Sequence, residues 1–369
     1  MAFPRVFRIE QSFDGPCVSD IRSRVAEEIS RLQVMSHLHP GASVAVTAGS
    51  RGVANIADIL KSVVSELQKL GAQPFIIPAM GSHGGATPEG QLSVLEHYGI
   101  TENSMGVPIR ATMETVQVGT TKQGIPVLVD KNAWSADSIA VVNRIKPHTD
   151  FSGEIESGLS KMMAIGLGKH SGALNYHRAN IRYGYYDVIT SVASVVLEQC
   201  RILFGLGIVE NSYDQTALLE AMAPSEIPER ERQLLRMARS LLARLPFDSG
   251  DVLVVDEMGK NISGTGIDTN VVGRTVSQRE RGPKKPAFTR IFVRDLSNES
   301  YGNAAGVGLA DLVTKKLVDK IDFRATYINA ITSTNIESTR IPLTCATDRE
   351  ALETAISTSG VDSPGRCRL

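Results

Sequence analysis

Three of the seven histidines stand where an α/β enzyme places its chemistry, beyond short apolar runs that read as strands. His83 lies in Met80-Gly-Ser-His-Gly-Gly-Ala86, His148 in Lys146-Pro-His-Thr149 and His177 in Leu174-Asn-Tyr-His177. Imidazole titrates near neutral pH, so it can pass protons, and its neutral form ligates metals. Glycines beside His83 let backbone N–H groups approach a ligand closely. Each histidine alone also reads as a turn residue with a local hydrogen bond; three on sharply punctuated loops weaken that reading. A fourth group is Lys161, in Ile155-Glu-Ser-Gly-Leu-Ser-Lys-Met-Met-Ala-Ile-Gly-Leu-Gly168. A lysine in so apolar a run is either paired, with Glu154 or Glu156 at hand, or consumed in a covalent bond. Gly168-Lys169 suggests a phosphate loop, but Met163 stands where its first glycine belongs and His170 where its Ser or Thr belongs.

The elements that must position these residues follow from periodicity. Ser43–Thr47 reads as a strand ending in the turn-prone Ala48-Gly49-Ser50. Ile56, Ile59, Leu60, Val63, Val64, Leu67 and Leu70 recur at helical spacing, and Gly71 closes that helix. Gln73–Pro78 is the next strand, Gly81–Gly85 a turn, and Thr87-Pro88-Glu89-Gly90 a helix start. A strand over Ser138–Val142 opens into the His148 segment; a helix over Tyr186–Leu197 leads to a strand over Ile202–Ile208. Glu226–Arg244 reads as a charged amphipathic helix with a solvated face. A break near Pro246–Gly250 precedes a strand at Asp251–Asp256, another at Thr289–Val293, a helix around Asn303–Ile321 and a terminal helix over Asp348–Thr358. The fold class is α/β: two α/β domains with mostly parallel sheets, the active site in the cleft between them. Residues 1–248 form an N-terminal α/β domain carrying the cofactor-binding and catalytic loops, and 249–345 a C-terminal α/β domain. The stretch 346–369 is a terminal helix able to pack back on the N-terminal domain.

Bulk properties narrow the function. With 369 residues, 42% hydrophobic and 21% charged, the chain has the balance of a folded protein of about two domains. A formal net charge of −1 gives no electrostatic reason to expect nucleic acid or an anionic membrane as partner. Cys17, Cys200, Cys345 and Cys367 are too far apart for a zinc knuckle or redox pair. No apolar signal core or membrane-length run is visible, so the cytoplasm is the expected location.

Taken in order, Gly49-Ser-Arg51, Gly81-Ser-His83, Lys146-Pro-His148, Lys161 and His177 resemble the nickel-dependent lactate racemase family, over most of residues 40 to 280. The resemblance implies a nickel-pincer nucleotide, a pyridinium-derived cofactor that chelates nickel through carbon and sulfur. Lys161 would tether it covalently and His177 would ligate nickel, with His170 the competing ligand. Gly81, Ser82, Gly84 and Gly158 would line the cofactor. His83 and His148 would be the paired acid and base, and Arg51 a substrate anchor. The first turn, Thr47-Ala-Gly-Ser-Arg51, lacks the aspartate and following proline common in the family. The loop from Asp256 to Arg274 lacks the family's glutamine and lysine, and Lys260 and Arg274 are candidate replacements for holding a carboxylate.

The chemistry suits these residue types. The α-hydrogen of a 2-hydroxy carboxylate is too weakly acidic for a protein base, so it is better moved as hydride while imidazole takes the hydroxyl proton. The expected function is racemisation or epimerisation of a 2-hydroxy acid by reversible hydride transfer to the cofactor. Expected partners are the small substrate and, transiently, the cofactor-synthesis enzymes, with room for a homo-oligomer. Two alternatives use the same residues: a three-histidine zinc hydrolase or lyase built from His83, His148 and His177, and a non-catalytic relative that binds its ligand without turnover.

Overall fold

The computed structural model describes residues 3–32, 38–50, 52–275 and 285–369, whose contacts divide the chain into two units. The first comprises Phe13–Pro147 with Ser152–Ala243. The second gathers the described residues of Met1–Ser12, His148–Phe151 and Arg244–Leu369.

The first unit runs α1 (Ile21–Arg31), β1 (Ser43–Ala48), α2 (Ile56–Lys69), β2 (Gln73–Pro78), α3 (Pro88–His97), α4 (Glu102–Met105), β3 (Thr115–Thr120) and β4 (Pro126–Asp130). It continues with α5 (Lys131–Ser135), β5 (Ser138–Arg144), α6 (Leu159–Lys161), a π-helix over Met162–Gly166, and α7 (Lys169–Tyr183). It closes with α8 (Tyr185–Gln199), β6 (Ile202–Glu210), β7 (Thr216–Met222) and α9 (Ile227–Leu241). The main sheet has the order β2-β1-β5-β6-β7, parallel except for the last pair. Its strands are mostly apolar because both faces are covered. Ala45, Phe75, Ile77, Ile139 and Val141 enter one core, while Val44, Val46, Ile76, Ala140 and Val142 enter the other. Helix α8 closes the first face with Val188, Val192 and Val196; α2 closes the second with Ile59, Leu60, Val63 and Leu67. The antiparallel pair β3–β4 has no counterpart in the sequence-based expectation.

The second unit contains β8 (Ser249–Met258), α10 (Thr269–Val272), β9 (Ala287–Leu296), β10 (Leu312–Thr314), α11 (Lys315–Asp319), α12 (Phe323–Ser333), β11 (Leu343–Cys345) and α13 (Asp348–Ser357). Its sheet, β11-β10-β9-β8, is parallel at every pairing. The helix expected around Asn303–Ile321 is replaced by 3₁₀ turns, strand β10 and the short α11. The left-handed Gly302 (φ +77°) and Gly306 (φ +108°) stop a helix there, and Leu312-Val-Thr314 is drawn into the sheet beside β9. The apolar face of α13 is used inside this unit, where Ala351, Ala355 and Ile356 pack with Val252, Phe292 and Leu312. Among the described residues no helix is long and apolar enough to cross a membrane.

Candidate active site

Within the first unit, β1 lies between β2 and β5: the chain runs from β1 out to β2 and later returns to add β5 on the other side of β1. Ligand crevices of open α/β sheets form beyond the carboxyl ends of strands at such a point. Three loops arrive there: Gly49-Ser50 after β1, Ala79–His83 after β2, and the end of β5 at Asn143. The Ser50 hydroxyl hydrogen-bonds Nδ1 of His83, and the Ser50 carbonyl accepts from the Tyr98 hydroxyl at 3.2 Å. His83 is exposed, Ser82 half-buried and Gly81 buried. Gly84 adopts φ +65°, and a Cβ there would lie 2.5 Å from the carbonyl carbon of Gly90. Only glycine lets the turn close on the start of α3.

The Lys161 segment interlocks with these loops. The Asn143 amide donates to the Gly158 carbonyl at 2.8 Å, and Gly49 faces the Met162 methyl. Gly81 packs on Ile165, and Gly166 lies so close to Ala79 that a Cβ would fall 2.8 Å from its carbonyl oxygen. Lys161, half-buried, is the last residue of α6 before the π-helix. Irregular turns of that kind recur at functional sites.

Beneath the segment lies Glu231, 1% exposed, on the inner face of α9. Its carboxylate accepts from the Ser160 backbone N–H at 3.1 Å and from the Ser160 hydroxyl. A Cβ on Gly158 would stand 1.9 Å from Oε1, which gives that glycine a packing role of its own. Burial pushes the Glu231 carboxyl up to about 7, against the lowering effect of the Ser160 hydrogen bonds. Because the folded value lies above the ordinary 4.5, this group's stabilising contribution is complete below about 4.5 and lost as pH rises through 7. The loss is on the order of 3 kcal/mol. Glu231→Gln, which mimics the protonated acid, is therefore expected to gain stability over the native protein between pH 5 and pH 8. Urea midpoints of both proteins at the two values check this; an equal difference at both would refute it.

His177, on α7, is half-buried with its Nδ1 fully enclosed and, like Nδ1 of His170, without a hydrogen-bond partner. Burial, helped by the charge of Lys161, lowers the His177 imidazole to about 4. The ring is thus neutral near pH 7, as a metal ligand must be. The edge of the Tyr185 ring system meets it at 6.1 Å between centroids.

The remaining candidates belong to the second unit. His148 stacks on Phe151 at 4.5 Å, and its Nδ1 accepts from the Asp150 backbone N–H at 2.9 Å, which puts the proton of the neutral ring on Nε2. The segment is pinned by the Thr269 hydroxyl on the Thr149 carbonyl (2.6 Å), by the Asn270 amide on the His148 carbonyl (3.1 Å) and by the Asn335 amide on Asp150 (3.1 Å). The Lys260 ammonium donates to the Gly264 carbonyl at 2.7 Å within its glycine-rich loop. Arg274 is taken up structurally: its guanidinium pairs with Asp311 and donates to the carbonyls of Leu309 and Phe288. Arg51 lies outside the described residues.

Sequence reasoning passed over Ser50, although it named the turn, and over Glu231. The signal for Glu231 is a carboxylate inside the apolar stripe Ile227, Leu234, Leu235 and Ala238. It also passed over the wholly buried Lys169. Among the described residues no group of three or more His, Cys, Asp or Glu side chains converges to hold a metal ion.

Comparison with known proteins gives two similarities. Residues 19–184 match the lactate racemase N-terminal domain. The chain is similar in fold to the lactate racemase apoprotein from Thermoanaerobacterium thermosaccharolyticum, with a TM-score of 0.56 and 15% identity over 98% of this chain and 95% of that one. No curated protein sequence matches it. The matched domain spans β1, β2, β5 and the Lys161 and His177 segments, so that over residues 19–184 the chain is similar to the lactate racemase N-terminal domain.

Proposed function

We propose that the protein racemises or epimerises a 2-hydroxy carboxylate and works with a nickel-pincer nucleotide. The match of residues 19–184 to the lactate racemase N-terminal domain supports a racemase-type activity. The observation that carries the finer reading is the pairing of Lys161 with His177, an amine able to form a covalent bond beside a neutral imidazole whose enclosed Nδ1 lacks a partner. These residues fit the group: Lys161 would tether it, His177 would ligate nickel with His170 as alternative, and Gly81, Ser82, Gly84 and Gly158 would border it. When bound, the cofactor supplies the acceptor and donor of the α-hydrogen as hydride.

The chain's own residues do the rest. His83, oriented by Ser50, would exchange the substrate hydroxyl proton, with His148 proposed as the second proton carrier. Lys260 and Arg51 hold the carboxylate as point charge and fork. Loading requires transient contact with the cofactor-synthesis enzymes. The test is intact mass and nickel content of protein co-produced with those enzymes. A nucleotide-sized addition mapping to Lys161 with nickel near one per chain is the expected result. Unmodified Lys161 and no nickel, under conditions that load a known racemase, would overturn the cofactor assignment.

A further inference from the structure

We propose that Lys169, acting through Gln91, positions the His83 turn. The proposal rests on the reading of His83 as a proton carrier, and Lys169, Gln91 and Asp130 are not themselves assigned to the reaction.

Lys169 is fully buried, as are Gln91 and Asp130. Its backbone takes the left-handed φ of +53°, which side chains rarely adopt and which surrounding contacts must enforce. The ammonium donates to the Pro78 carbonyl at 2.7 Å and to Oε1 of Gln91 at 2.6 Å, with Asp130 Oδ2 at 3.4 Å. A buried ammonium needs such acceptors around it.

The consequence falls on Gln91. Its oxygen faces the cation, so its amide nitrogen must face the other way, where it donates to the carbonyls of Gly81 at 3.0 Å and His83 at 3.3 Å. Flipping the amide would set nitrogen against ammonium and oxygen against two carbonyls. The cation thereby sets the amide, and the amide clamps both ends of the Gly81–His83 turn. That turn in turn aims His83 at Ser50. Asp130 ties the anchor to the π-helix segment, since its backbone N–H donates to the Leu167 carbonyl at 2.7 Å while its side chain caps α5 through Asn132 and Ala133. One buried cluster therefore sets the His83 turn and the end of the segment that begins at Lys161.

Two variants separate the clamp from the fold. Gln91→Glu keeps an oxygen for Lys169 and removes both donors to the turn. Lys169→Met combined with Asp130→Asn removes both buried charges together, leaving neither unpaired, and frees the amide to lose its orientation. The first readout is amide hydrogen exchange in cofactor-free protein. The His83 and Ala86 amides, bonded to the Met80 and His83 carbonyls, are expected to exchange about tenfold faster or more in both variants, with strands β1 and β5 unchanged. The second is turnover of cofactor-loaded protein, where kcat should fall roughly 10- to 100-fold with KM nearly constant.

Unchanged exchange at His83 and Ala86 in a folded variant overturns the proposal. So does faster exchange with unaltered kcat. If Gln91→Glu does not fold, the double variant decides alone by the same two readouts. Should the native protein turn over no 2-hydroxy acid, the exchange rates still decide the clamp, and the reading of His83 falls separately.

Discussion

Lys161→Ala is expected to abolish covalent loading of the cofactor and to lower turnover by roughly a thousandfold or more. The argument starts from place. Lys161 ends a single turn of helix, and the π-helix that follows is wedged against Ala79 and Gly81 with no room for added atoms. The amine is therefore presented from a rigid platform whose underside is bonded to Glu231 through Ser160. Its charge acts on His177, so the proposed tether and the proposed nickel ligand occupy one neighbourhood. Lys161→Arg sharpens the test because it keeps a positive charge there while a guanidinium, protonated at all working pH values, cannot serve as nucleophile. Both variants should fold, bind little nickel and show their unmodified mass. Full activity in Lys161→Arg would show that the charge matters and the covalent bond does not.

The legible parts of this chain were those fixed by local rules. Apolar runs of strand length ending in glycine turns placed β1 and β2, and the spacing of Ile56 to Leu67 placed α2, whose inner face is buried as that spacing requires. The His83 turn could be read because Gly81 and Gly84 adopt backbone angles that glycine accepts readily. What stayed illegible depends on partners far along the chain. Lys169 looked like a failed phosphate loop, and its burial becomes sensible only with Asp130 and Gln91 brought around it. Arg274 looked available for a carboxylate until Asp311 met it across the loop. Strand β10 is three residues long, too short for periodicity to register, and it is a strand only because β9 and β11 flank it. Glu231 falls between the two cases: its helix was evident from charge patterning, but a carboxylate in the apolar stripe was taken for part of a solvated face.

His83→Asn is expected to leave cofactor loading intact and to reduce kcat by roughly 10²- to 10⁴-fold, the range spanned by positioned proton-transfer groups. Asparagine preserves a polar side chain of similar reach, so the glycine turn and its clamp by Gln91 should survive, and the loss reports the proton rather than the fold. Loading should be unaffected because, on the proposed reading, it depends on Lys161 and His177. The loss follows from coupling: hydride cannot leave the α-carbon unless the hydroxyl gives up its proton in the same event, or a high-energy cation is left behind. Ser50→Ala supplies the graded control. It removes the hydroxyl bonded to Nδ1, leaving imidazole in place without its orienting partner, and should cost about tenfold. A smaller effect at Ser50 than at His83, both falling on kcat with loading complete by mass, is the pattern of a base held in one orientation. If His83→Asn retains native turnover while remaining loaded, proton transfer lies elsewhere, and His148, whose neutral ring carries its proton on Nε2, becomes the group to replace next.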